Sequence, residues 1–130
     1  MWRGRENSRS NISISGKVYG HLYFYSEFLH HKRSNSNVFE KFIVYGESIN
    51  ISKIIIPEDA EYSEGNLEQV IVNSENSRSI SIPILDVRNN TSKGTHSSKN
   101  IKLTDEEIFY LKHLGISSKE IYDLIESSVF

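Results

Sequence analysis

Isoleucine alternates with small polar residues in short runs along most of the chain, and this alternation is the strongest constraint on the fold. In the clearest run, Ile80, Ile82 and Ile84 alternate with two serines and Pro83. A period of two places neighbouring side chains on opposite faces of a β-strand. Isoleucine favours strands, and it occurs 17 times, whereas alanine, the best helix former, occurs once. The sequence therefore predicts a body built mainly of β-structure.

Turn-forming residues divide this body. Serine and asparagine make up a quarter of the chain and separate the apolar runs into about seven short strands. Two longer polar stretches, 30–37 and 89–100, predict loops. Pro83 has no amide hydrogen, so its strand is expected at a sheet edge or a bulge. Strands at a spacing of roughly ten residues fit a sandwich, a barrel or a β-solenoid, and we find no exact internal repeat that chooses among them.

From residue 101 onward the pattern changes and predicts two helices. Thr104 and Glu107 have the spacing of a capping box, and Ser117 and Glu120 repeat it. A glycine at position 115 is a natural stop for the first helix. The second helix is expected to bury four side chains that fall on one helical face: Ile121, Leu124, Ile125 and Val129.

We expect one structural domain in three segments. Residues 1–10 are polar and charged and predict a flexible N-terminus. Residues 11–100 form the β-body, and residues 101–130 form the C-terminal helix pair. A chain of 130 residues is long enough to bury a core without covalent cross-links.

Composition excludes several classes of protein. The chain contains no cysteine, which excludes disulfides, thiolate metal ligands and a cysteine nucleophile. Its net charge is −2 with both signs mixed, whereas nucleic-acid binding usually needs a basic surplus. No apolar run approaches the roughly 20 residues of a membrane helix. We therefore expect a soluble, cytoplasmic protein without nucleic-acid or membrane partners.

The second half of the chain carries short motifs in a fixed order and spacing. Each motif alone would be weak. Together they resemble the C-terminal core of the SufB/SufD family of iron–sulfur cluster assembly proteins. In chain order the motifs are an aliphatic strand (70–74), Pro-Ile-Leu-Asp-Val (83–87), a histidine (His96), Phe-Tyr-Leu (109–111), and Gly-Ile (115–116) before a helix that ends in Phe130.

The resemblance implies a fold and a function. It selects a short right-handed β-helix for the body, which the strand pattern alone does not. It implies a non-catalytic scaffold subunit of SUF-type cluster assembly, not an enzyme. Ser97 follows His96 where SufB-type members have a glutamate, and the core cysteine of that type is missing, so the chain is closer to the SufD type. Family members are longer, so we expect a truncated and divergent member.

His96 is the metal-site candidate that the resemblance singles out. Resemblance to SufD implies that its imidazole ligates iron of a transient Fe–S cluster at a subunit interface, with no intrinsic cofactor in the chain. Imidazole suits iron chemically. The alternative is that His96 lies in a polar loop and hydrogen-bonds with a backbone carbonyl.

The resemblance also implies partners. They are a SufC-like ABC-type ATPase docked on the helix pair, and a SufB-like subunit or a second copy paired strand to strand. We assign partner binding to Phe109, Tyr110 and Leu114. Ile108 and Leu111 predict a core stripe, with Phe109 on its flank and Tyr110 turned toward a partner. The alternative for the helix pair is a cap over the open end of the β-body.

A second function from a different class stays open. The missing cysteine and glutamate fit a stand-alone β-rich binding module, a relic of the family without assembly activity. A hydrolase is disfavoured because no catalytic constellation is present. The adjacent His30 and His31 are expected in a solvated loop, not in a metal site.

Overall fold

The computed structural model describes residues 1–102 and 104–129. Predictions for the Val129 side chain and for Phe130 fall outside this description. The elements are β1 (Trp2–Arg3), β2 (Arg9–Val18), β3 (His21–Leu29), β4 (Asn35–Val44), β5 (Glu47–Ile56), β6 (Glu64–Asn73), β7 (Arg78–Val87), β8 (Lys93–Lys102), α1 (Asp105–His113) and α2 (Ser118–Val129).

The strands form two parallel four-stranded sheets, and the chain passes from one sheet to the other after each strand from β1 to β7. The first sheet has the order β1-β3-β5-β7 and the second the order β2-β4-β6-β8. Each residue of β6 pairs with a residue 29 positions earlier in β4 and 29 positions later in β8. The body is thus a β-solenoid of about three turns, as the resemblance implied. It has eight strands, one more than the sequence pattern predicted, and most of them are longer than predicted.

Alternation along each strand turns every second side chain into the space between the sheets. One buried apolar cluster includes Val38, Ile54 and Leu67, and a second includes Phe42 and Ile71. Both clusters draw on isoleucine and other strand-forming residues, which the period-two pattern predicted. Burying apolar side chains at these positions stabilises the body by roughly 1.5–3 kcal/mol for each large side chain.

The helix pair begins and ends where its sequence signals predicted. Thr104 Oγ1 accepts a hydrogen bond from the Glu107 amide at 3.2 Å, and the Glu107 carboxylate accepts one from the Thr104 amide at 2.8 Å. The same reciprocal bonds join Ser117 and Glu120. Gly115 follows the C-cap of α1 with φ +85°, a conformation that only glycine adopts freely.

Helix α2 lies along the solenoid and does not close its end. Its Glu126 bonds to Lys17 at the end of β2, while Tyr122 accepts a hydrogen bond from the amide of Glu75 after β6 at 3.0 Å. α2 therefore spans successive coils at the carboxyl ends of the second sheet's strands. There, two outward-facing residues of the sheet are fully buried: Ile43 and Val72. The prediction that the helix pair caps the open end of the body is wrong.

Three expectations about irregular segments are corrected. Trp2 in the N-terminal segment belongs to β1, which pairs with β3, and its ring contacts Phe28. The predicted loop 30–37 contains the start of β4, and the predicted loop 89–100 contains most of β8. Both segments were predicted as loops because their residues are largely polar. The start of β4 lies against buried polar side chains, and β8 faces solvent. Pro83 does lie in an edge strand, β7, as predicted.

Candidate functional site

The carboxyl-terminal coil of the solenoid presents the predicted metal-site residue on a strand. His96 belongs to β8 and pairs in register with Leu67 of β6. Leu67 faces the core and is buried, yet His96 is exposed. Within residues 1–102 and 104–129, no strand pairs with the outer edge of β8. The inward position that Leu67 fills with a buried side chain is therefore open to a partner at His96, one coil later. The prediction that His96 lies in a loop is wrong, because it belongs to β8.

The inward register of β8 is polar throughout its second half. Ser98 pairs with Gln69 and Asn100 pairs with Ile71, so hydrophilic side chains replace core side chains at matching positions. Gly94 pairs with Gly65, and a Cβ at Gly94 would lie 2.9 Å from the Val87 side chain. The end of β7 and the start of β8 therefore pack closely, and the polar remainder of β8 stays exposed.

A groove of about 320 Å³ runs across the outer surface of the second sheet beside this strand. Amide side chains line it as a ladder: Asn66 donates to Asn37 at 3.0 Å, and Asn37 donates to Asn11 at 3.2 Å. Thr95 extends the ladder by donating to Asn66. Successive coils are thereby held in register directly beside His96.

Among the described residues, His96 does not belong to a group of side chains that could hold a metal ion. Within the part of the chain that the structure describes, no group of three or more histidine, aspartate or glutamate side chains is placed to hold a metal ion. An imidazole suits iron as one ligand. Any iron bound at His96 would therefore need further ligands from another subunit or from the cluster itself.

The helix surface offers the three predicted partner-binding residues to solvent. Phe109 is 73% exposed and Tyr110 63% exposed, and Leu114 is also exposed. Ile108 is buried and Leu111 half-buried, as the core stripe predicted. Phe109 lies beside that stripe, but its side chain is mostly exposed and does not pack in the core with Ile108. Leu124, predicted to be buried on α2, is likewise exposed.

Polar contacts attach helix α2 to the solenoid. Lys17 Nζ donates to Glu126 at 2.6 Å, and the Tyr45 hydroxyl donates to the other oxygen of the same carboxylate. The hydrogen bond from Lys17, followed by that from Tyr45, holds the pKa of Glu126 below its ordinary value. Burial and the bond to Glu126 raise the pKa of Tyr45. Sequence reasoning missed these contacts because each joins residues far apart in the chain.

A buried polar cluster lies between the two apolar clusters of the core. The Glu40 carboxylate accepts hydrogen bonds from Ser52 Oγ at 2.6 Å and from Gln69 Nε2 at 2.8 Å. Ser26 donates to it at 3.1 Å. Nothing in the sequence marked these residues except their positions at inward places of alternating strands.

A second missed feature is His30, which is fully buried at the start of the turn between β3 and β4. Its Nδ1 lies 2.7 Å from Ser34 Oγ and its Nε2 lies 2.8 Å from Ser36 Oγ. The Trp2 ring packs against it, with ring centroids 5.5 Å apart. Burial lowers the pKa of His30. The expectation of a solvated His30 is wrong, because two serines satisfy both ring nitrogens away from water.

Comparison with known proteins supplies the remaining evidence. The family described as the SUF system FeS cluster assembly, SufBD core domain, matches residues 20–128. A search of curated proteins found no match to this chain. Among the described residues, neither helix is long and apolar enough to cross a membrane.

Proposed function

Because the chain belongs to the SufBD core-domain family of the SUF iron–sulfur cluster assembly system, we propose that it is a non-catalytic scaffold subunit that docks an ABC-type ATPase. The observation that carries the proposal is the family match, which covers the solenoid from β3 onward and nearly all of the helix pair. A SufD-like role follows from the family histidine without the neighbouring glutamate. The cytoplasm is the proposed location.

The open carboxyl-terminal coil supports a role at a subunit interface. An unpaired strand edge is a template for pairing with another chain. β8 offers such an edge, and His96 stands on it at an exposed inward position. A SufB-like subunit would add its strands here and supply further ligands, whereas a second copy would supply only its own His96. The cluster is cargo in this proposal and is not a resident cofactor.

The helix surface supports ATPase docking. Aromatic residues are enriched among the residues that dominate binding energy at interfaces. Phe109, Tyr110 and Leu114 are exposed on α1 and its C-cap, and α1 is held to the body by the buried Ile108 and by the Lys112–Glu75 ion pair at 3.9 Å. A helix that is already folded and held in place loses little backbone entropy on binding.

The docking proposal is tested by titrating the chain with the SUF ATPase in a calorimeter. Tyr110→Ala should weaken binding by at least tenfold, which corresponds to about 1.4 kcal/mol. Tyr62→Ala is the matched control, because Tyr62 is about equally exposed but lies in the turn between β5 and β6. Absence of binding by the unmodified chain, or equal loss in both variants, would contradict docking through α1.

The cluster proposal has a separate test. With a SufB-like subunit and the ATPase present, His96→Ala should reduce cluster formation, followed by visible absorbance, while leaving complex formation unchanged. Ser98→Ala, two residues along the same strand face, is the control. Unchanged cluster yield in His96→Ala would remove His96 from the site.

The stand-alone binding module remains the second candidate function, and the absence of cysteine favours it. It predicts stable folding and no affinity for either SUF partner. The same titrations decide between the two functions.

A further inference from the structure

The outer face of the first sheet is unusually apolar for a surface. The outward-facing side chains of β3, β5 and β7 form two adjacent rows across the sheet, joined in register by strand pairing. Five of the six side chains are exposed, from 40% for Ile49 to 64% for Tyr23. We call these two rows the sheet face: Tyr23, Ile49 and Ile80 in one, and Tyr25, Ile51 and Ile82 in the other.

Alternation does not by itself account for this face. The corresponding outward rows of the second sheet are largely polar, with Asn66 and Glu68 at their centre. A contiguous apolar patch on a protein surface usually marks an interaction site. The helix pair covers part of the second sheet, so the sheet face is left open on the other side of the molecule.

Charges border the sheet face in a self-complementary order on β3 and β5, while β7 has Arg78 at one border and Ile84 at the other. Along the outward side of β5 the sequence reads Glu47, Ile49, Ile51, Lys53. A second strand of this sequence laid antiparallel on the first, with the two isoleucines opposed, brings each glutamate over a lysine. On β3 the same arrangement places His21 over Glu27.

We infer that the sheet face binds a second copy of this chain, packed face to face with antiparallel strands. A twofold axis running across the strands between the two rows superposes Tyr23 on Tyr25, and Ile49 on Ile51, of the second copy. Two Glu47–Lys53 pairs then close the border on β5, beside the His21–Glu47 contact at 3.1 Å and the Lys53–Asp86 contact at 3.8 Å within each copy. The parallel alternative is disfavoured, because it would place Glu47 over Glu47.

This contact is independent of the proposed function. The sheet face belongs to the first sheet, whereas the edge strand β8 belongs to the second. The dimer therefore leaves β8 and the α1 surface free for other subunits. Failure of ATPase binding would not affect it, and loss of the dimer would not affect ATPase binding.

Sedimentation of the full chain over a range of concentrations tests the inference. The unmodified chain should reach twice its monomer mass of 15.0 kDa. Ile49→Lys should weaken self-association at least tenfold. Phe39→Lys is the matched control, because Phe39 is 39% exposed on the outer face of the second sheet and Ile49 is 40% exposed. A monomer at every concentration, or equal effects of both variants, would overturn the inference.

Cross-linking through single cysteines tests the register with changes that do not threaten folding. The chain has no cysteine of its own, so a short bismaleimide reacts only at the introduced residue. A mixture of Ile49→Cys and Ile51→Cys chains should cross-link more than either variant alone. Phe39→Cys should not cross-link. Equal yields from the mixture and from Phe39→Cys would exclude the antiparallel face-to-face contact.

Discussion

Strands β6 and β8 are paired neighbours in one sheet, yet their inward side chains have opposite environments. Leu67 is buried where its partner His96 is exposed, and Ile71 is buried where its partner Asn100 is exposed. Within the described residues, a coil on either side encloses β6, while β8 has a coil on one side only. Strand pairing thus sets which side chains of a coil point inward. Whether an inward side chain is buried or exposed depends on the presence of a further coil beside it.

The difference identifies where stability and function reside. The enclosed coils hold the apolar clusters and the buried Glu40 cluster. The open coil holds polar side chains that contribute little to a core and are free to contact another protein. Substitutions in β6 should therefore lower stability, whereas substitutions at the matched positions in β8 should affect contacts with other proteins.

The largest expected difference is between Leu67 and His96. Leu67→Ala removes a fully buried side chain and should lower the free energy of unfolding by about 2–5 kcal/mol. His96→Ala should change it by less than about 0.5 kcal/mol. Urea unfolding followed by circular dichroism measures both. Comparable destabilisation by the two changes would mean that the open coil is enclosed in solution.

The buried polar cluster gives a second matched pair. Glu40→Ala leaves the Ser52 and Gln69 donors without their acceptor and should cost at least about 1–3 kcal/mol. Ser98 pairs with Gln69 but lies in the open coil, so Ser98→Ala should be nearly neutral. Chemical denaturation of the two variants checks this. A neutral Glu40→Ala would show that the cluster does not support the enclosed coils.

Acidification should weaken the enclosed coils through His30. Burial lowers the pKa of His30, so between its folded value and its ordinary value of 6.5 the unfolded chain binds a proton that the folded chain does not. Stability is full above about pH 6.5 and falls as the pH drops through that window, by at most about 1.4 kcal/mol per pH unit.

Thermal melting across this pH range measures the effect. His30→Gln removes the titrating group and should flatten the dependence within the window, although it also costs stability at neutral pH. If His30→Gln and the unmodified chain lost stability in parallel, the group responsible would lie elsewhere.

The smallest expected effect is at the helix surface. Phe109→Ala and Tyr110→Ala should each change the free energy of unfolding by less than about 0.5 kcal/mol, because both side chains are mostly exposed. Ile108→Ala is the matched buried change on the same helix and should cost about 2–5 kcal/mol. Thermal melts of the three variants separate the two faces of α1.

Local signals in the sequence predicted the regular parts of this molecule well. Both capping boxes, the stop at Gly115 and the edge position of Pro83 depend on residues close together in the chain. The motifs around His96 pointed to the family that the comparison shows. These features could be predicted without knowing which coils are neighbours in the solenoid.

The rest depended on contacts between coils. Among the described residues no further coil covers β8, and its side chains are mostly polar, so the sequence pattern predicted a loop there. His30 looked solvated because Ser36, which satisfies it, is a polar residue of the next strand. The 29-residue repeat was missed because only its positions recur, as at Asn37 and Asn66, while most side chains differ.

Hydrogen–deuterium exchange of the chain alone and in complex with the SUF ATPase and a SufB-like subunit tests the central claim most directly. The account predicts new protection in β8 and α1, with little change in β6, which is already enclosed. Protection confined to β6 and the other enclosed strands, or no change in any peptide, would contradict a scaffold that works through its open coil and its helix surface.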